Sequence, residues 1–186
     1  GYTLKETRHL YGTYSSGMNL YNLPSSMMTA LTISVIPTVS ASLARNDRVH
    51  TSRVINSSLR VTGLMAFPMG LGLWALAEPI MKLCYPRYDS ELGGSLLAVL
   101  GIASMFVCLM LISNSILQSY GRVHVPVFTM LIGGVVKIIF NYNLTAVPSI
   151  NIHAAPFGTL VCFVIVSSLN LFFVYRTMED KPNYFN

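Results

Sequence analysis

Lys137 is the residue whose type and position promise the most chemistry. It lies inside the apolar run Val127 to Leu144, which is long enough to be most of a bilayer-spanning helix. An ammonium at the centre of such a helix costs roughly 2.5–3.5 kcal/mol on insertion scales, so lysines there face a bundle interior or a water-filled cavity. Asn141 follows four residues later, one turn up on the same helix face. A buried cation beside hydroxyls and amides can hold an anionic group such as a phosphate as a point charge. It can equally occupy the place of a coupling metal ion. These two roles, and a lysine that snorkels to the headgroups past Asn141, remain open on the residues alone.

A second polar set lies near the N-terminus. Ser16, Asn19, Asn22, Ser26 and Thr29 recur at steps of three or four and draw a stripe along one helix face. Lipid does not reward such a stripe. A transport path does, and so does a neighbouring helix, where each interhelical hydrogen bond contributes about 0.6 kcal/mol. Thr159 adds a hydroxyl at the start of a further apolar run. Enzyme chemistry has no matching residues: HExxH, GxSxG, a P-loop and paired carboxylates are all absent, and no acidic residue falls inside an apolar run. Cys84, Cys108 and Cys162 have no metal-ligand spacing, so neither a metal nor a cofactor is expected. His153 reads as an interfacial or capping histidine rather than a ligand.

The elements that carry these residues follow from composition. The chain is 53% apolar and only 10% charged, with a mean hydropathy of +0.56. Soluble domains carry about 25% charged residues, so this is an integral membrane protein: an all-α, polytopic helix bundle. The net charge of +5 is not gathered into one patch, which excludes a nucleic-acid partner in favour of topology determinants. Five spans are predicted, at about 14–43, 61–77, 95–119, 126–145 and 155–175, with loops at 1–10, 44–60, 78–94 and 120–126. Pro24 and Pro68 fall inside the first two spans, where proline kinks a helix. The loops after spans one, three and five hold Arg45, Arg48, Arg53, Arg60, Arg122, Arg176 and Lys181, against Lys5, Arg8, Lys82 and Arg87 on the other side. Positive residues stay inside, so the N-terminus is expected outside and the C-terminus in the cytoplasm. Residues 1–186 are expected to form a single transmembrane bundle cut from a longer chain.

Particular stretches carry a likeness. LYGTYSSGMNLYNLPSSMMTALTISVIPTVSASLARND (10–47) resembles the eighth span and following loop of the stage V sporulation protein B family. That family belongs to the multidrug/oligosaccharidyl-lipid/polysaccharide flippase superfamily, together with lipid II flippases. RVTGLMAFPMGLGLWALAEPIMKLCYP (60–86), SILQSYGRVHVPV (115–127) and KIIFNYNLTAVPSINIHAAPFGT (137–159) continue the match in order. His153 departs from it, since glycine commonly precedes the two alanines there. The resemblance implies spans eight to twelve of fourteen, half of a two-lobe flippase fold whose N-terminal lobe is missing from this sequence. It further implies a bacterial cytoplasmic-membrane protein that moves lipid-linked saccharide or peptidoglycan precursors across the bilayer by alternating access. Related flippases can use polar residues of spans eleven and twelve for sodium; Asn141 and Thr159 are the nearest matching positions, with Lys137 beside them arguing against a cation. A multidrug cation exporter of the same superfamily and a non-transporting membrane scaffold are the alternatives.

Overall fold

In a membrane the backbone must satisfy its own hydrogen bonds, and a chain this apolar does so with helices. The computed structural model describes residues 4–86, 89–145 and 154–179. They form α1 (Leu4–Ala44), α2 (Arg48–Ala75), α3 (Ala77–Cys84), α4 (Ser90–Ser119), α5 (His124–Thr145) and α6 (Ala154–Glu179). By length and composition α1, α4, α5 and α6 can cross a bilayer, while α2 and α3, bent by 74° at Leu76, make a fifth span if taken together. The molecule is a polytopic membrane helix bundle, as its composition requires.

α4 is the hub. It packs against α1, α2, α3 and α6, whereas α5 leans mainly on α6. The apolar window of α4 is 61% buried and that of α5 only 22%. Small residues let α4 hold this place. A Cβ on Gly101 would come within 2.9 Å of the Trp74 backbone nitrogen and 3.0 Å of the Gly70 carbonyl, so α2 and α4 touch backbone to backbone. Ala66, one turn before Gly70, is buried with Cys108 of α4 and Met28 of α1. The four-residue spacing of Ala66 and Gly70 thus does what small pairs do in membranes: it removes side-chain bulk between helices.

Helix ends are where charge and turn chemistry decide. Residues 44–60 are expected as one basic loop, but only 45–47 turn; from Arg48 onward they are helix. Asn46 takes a left-handed φ of 54°, which asparagine tolerates. The Asp47 carboxylate then caps α2 by accepting from the His50 N–H at 2.9 Å. The arginines sit on the exposed side of these turns while Thr51 and Ile55 are buried, so the segment is amphipathic rather than unstructured. Charge had been equated with loop, and the buried face is what overrides it. Residues 4–10 likewise begin α1, and 78–94 contain most of α3 and the first turn of α4. α4 closes on Gly121 at φ 74°, with the Arg122 N–H on the Leu117 carbonyl at 3.0 Å and the Gly121 N–H on Gln118 at 2.9 Å, a Schellman ending. α1 and α2 run on as helix through Pro24 and Pro68, and the sharp bend of the second span falls at Leu76.

Gly101→Val should therefore force α2 off α4 and destabilise the full-length protein by about 1–3 kcal/mol, read as a lower midpoint in detergent denaturation. Gly72→Val, on the same helix pair but with open space at its Cβ position, should stay within about 0.5 kcal/mol of wild type.

Candidate functional site

Thr129, Gly133, Lys137 and Asn141 follow one another at four-residue steps along α5, and α6 is the helix they meet. A Cβ on Gly133 would lie 3.0 Å from Cys162 Sγ, and the Asn141 side chain sits directly on Gly158. Between them Lys137 is half-buried. The lysine therefore lies in a seam of small residues rather than on the open face of α5. Among the described residues it has no hydrogen bond or ion pair. The Asn141 carbonyl oxygen, one turn further on, is buried and has no hydrogen-bond partner.

Thr159 is adjacent to Gly158 but turns elsewhere. It is buried and donates to the Ala155 carbonyl at 2.9 Å. The α1 stripe divides. Ser16 is buried and donates to the Gly12 carbonyl at 2.9 Å, while Asn19, Asn22, Ser26 and Thr29 are all exposed. Ser26 donates to the Asn22 carbonyl at 2.8 Å and Thr29 to the Ser25 carbonyl at 2.9 Å. Neither the Asn19 nor the Asn22 amide has a partner among the described residues. α1 and α5 do not form a packed pair, and α4 touches both. The structure thus joins Lys137 to Asn141 and leaves the α1 stripe on a separate open face. His153 and the turn at 146–153 lie outside the described residues.

Sequence reasoning passed over the best-formed polar contact. Thr129 of α5 donates to Asn170 Oδ1 at 2.7 Å, and Asn170 Nδ2 donates to Asn114 Oδ1 of α4 at 2.6 Å. Asn170 is fully buried, so one amide ties three helices together. The signal was an asparagine alone in the middle of a span, at VSSLNLFF. Also unforeseen is a groove of about 200 Å³ between α1 and α2, lined in part by Ser34, Thr38, Ser57, Ser58 and Thr62. A larger groove of about 540 Å³ along α5, from Pro126 to Ile138, is apolar. Neither is lined by Lys137 or Asn141.

A family model described as MatE matches residues 11–143, from the first exposed turn of α1 to the end of α5. The chain belongs to the MatE family. It is similar to the uncharacterized membrane protein YabM of Bacillus subtilis (strain 168), 25% identical over 172 residues, 92% of this chain and 31% of the relative. It is also similar to the lipid II flippase MurJ of the same organism, 24% identical over 127 residues, 67% of this chain and 23% of the relative. The chain spans less than a third of the length of these relatives. The MatE match contains Lys137, Asn141 and the whole α1 stripe, and Thr159 lies beyond it.

The three-helix contact makes a quantitative prediction. Asn170→Leu should cost between ~0.6 and ~1.7 kcal/mol, the range for hydrogen bonds between membrane helices. A double-mutant cycle with Thr129→Val in the full-length protein should show coupling. Additive losses would mean that the two side chains do not share the bond.

Proposed function

We propose that this chain is part of the second lobe of a flippase that moves lipid-linked saccharide or peptidoglycan precursors across the bacterial cytoplasmic membrane by alternating access. The observation that carries the reading is the exposure of Asn19 and Asn22 without partners on a helix long enough to cross the bilayer. A hydroxyl can face hydrocarbon by bonding back to its own helix, as Ser26 and Thr29 do. A carboxamide can return one proton in this way, as Asn143 does to the Ile139 carbonyl at 2.8 Å. The Asn19 and Asn22 amides make no such bond among the described residues, and leaving their several hydrogen-bonding sites in lipid costs several kcal/mol. Water in a central cavity removes that cost, and a polar substrate can use the same groups.

The likeness to a protein named as a lipid II flippase supports the substrate class. Lys137 also favours an anionic cargo: a half-buried ammonium repels cationic drugs and attracts a phosphate or pyrophosphate. In this reading Asn19, Asn22, Ser26 and Thr29 line the path on one side, and Lys137 with Asn141 and Thr159 stands where α5 and α6 complete it. An N-terminal lobe faces them across the cavity. The surplus of basic residues at the α1–α2 turn puts that end in the cytoplasm and the N-terminus outside.

In the full-length protein, single cysteines at positions 19, 22 and 26 should react with a water-soluble maleimide, and the reaction should change when the transporter is locked inward or outward. Protection of all three in both states would remove the path. In a flippase-deficient strain Lys137→Met should reduce transport roughly tenfold or more while membrane levels stay normal, with Lys137→Arg retaining activity. Full complementation by the methionine variant would take the lysine out of the mechanism.

A further inference from the structure

α2 presents an outward face that neither the proposed path nor the bundle core uses. Arg53, Ser57 and Arg60 are exposed and recur at steps of four and three, which puts them on one side of the helix. Leu64, Phe67, Leu71 and Trp74 continue the same side in the same rhythm, and each is at least half exposed. The face therefore changes at one point from basic to apolar. Arg60 immediately precedes the apolar stretch that starts at Val61, so it stands at the height of the headgroups, with Arg53 about 10 Å further into water. The distance from Leu64 to Trp74 is about 15 Å along the axis, the depth of one leaflet's hydrocarbon.

Two further features bear on what covers this face. Neither guanidinium has an ion-pair partner among the described residues, and the Ser57 hydroxyl has no hydrogen-bond partner among them. Ser57 is also the outer lip of the groove between α1 and α2. Inside it, Ser34, Thr38 and Ser58 each spend their proton on a backbone carbonyl of their own helix, so their oxygens are free to accept. Thr62, on the same wall, has a buried hydroxyl without a partner. A phosphate set between two arginines, with a hydroxyl-bearing headgroup beside acceptor oxygens, meets each of these requirements.

We infer that this face of α2 is a binding site for an anionic phospholipid with a phosphoglycerol headgroup. Arg53, Arg60 and Ser57 hold the phosphate, the groove receives the glycerol hydroxyls, and one acyl chain lies along Leu64 to Trp74. The lipid is a bound component of the bilayer, distinct from the transported cargo, and the inference stands whether or not the proposed transport reading does.

Trp74 is the chain's single tryptophan and closes the acyl-chain track, which supplies the measurement. The full-length protein, with Trp74 as its sole tryptophan, is reconstituted into vesicles that contain brominated phosphatidylglycerol or brominated phosphatidylcholine at equal bromine content. Quenching should be stronger with phosphatidylglycerol. Arg53→Gln and Arg60→Gln should each lower the relative affinity about fivefold, and Arg60→Lys should keep most of it. Near-equal quenching by the two lipids, or no loss in the double glutamine variant, would overturn the assignment. So would inorganic phosphate at millimolar concentration abolishing the preference, since the site would then hold a free ion without its lipid. An unchanged midpoint of thermal unfolding in detergent marks the same variants as folded.

Discussion

Hydrocarbon offers no hydrogen bonds, and this constraint decides where every polar side chain of the bundle can be. The chain meets it in three ways. Most hydroxyls bond back to the carbonyl three or four residues earlier in their own helix, as Thr32, Thr38, Ser104, Ser113 and Thr177 do. Asn170 cannot, and bridges Thr129 and Asn114 instead. Other polar groups have no protein partner among the described residues, Asn19, Asn22, Ser57, Lys137, the Asn141 carbonyl and the Thr62 hydroxyl among them. The first class is neutral filling, and the second fixes helix positions. The third marks the places at which water, cargo or lipid has to complete the molecule, and the two sites proposed above fall on it.

Packing around α4 explains how such residues are kept apart. Because Gly70 and Gly101 bring α2 against α4 at backbone distance, α2 shows α4 its narrow small-residue edge and turns its arginines and large apolar residues outward. α1 packs on another side of α4 with Tyr21 and Met28 inward, leaving Asn19, Asn22 and Ser26 open. The bundle thereby separates a polar face on α1 from a basic-then-apolar face on α2. That separation is set by which residues are small enough to touch α4.

Much of this was legible in the residues themselves. Low charge and recurring apolar runs left helices in a bilayer as the sole solution, and the four-residue step from Lys137 to Asn141 placed both on one face. The ordered phrases from residue 10 to 159 carried the flippase superfamily, in agreement with the MatE match. The helix ends were not legible, because arginine-rich turns were taken for loops where Thr51 and Ile55 bury one side of a helix. Nor was the partner of Lys137. Spacing along α5 identifies a face but not the helix it meets, and only the α5–α6 contact shows that face closing on Gly158 and Cys162. Asn170 was hidden for a related reason: a lone asparagine in a span announces a hydrogen bond, while its partners lie 41 and 56 residues away.

The seam at Lys137 shows why a costly residue is tolerated here. Gly133 on one side and Gly158 across from Asn141 have no side chains, so α5 and α6 approach closely there, and Lys137 between them is half-buried. An alkyl stem packed against a neighbouring helix recovers part of the burial energy that the charge gives up. What remains is an ammonium with no ion-pair partner among the described residues, one turn from a buried Asn141 carbonyl oxygen that also has none there. In the proposed reading, a species that accepts from the one and donates to the other would satisfy both groups. A protonated phosphate ester or an ordered water does both, whereas a bare metal cation would find one favourable partner and one repulsive charge. In that reading the seam would suit anionic, hydroxyl-bearing cargo better than a cation.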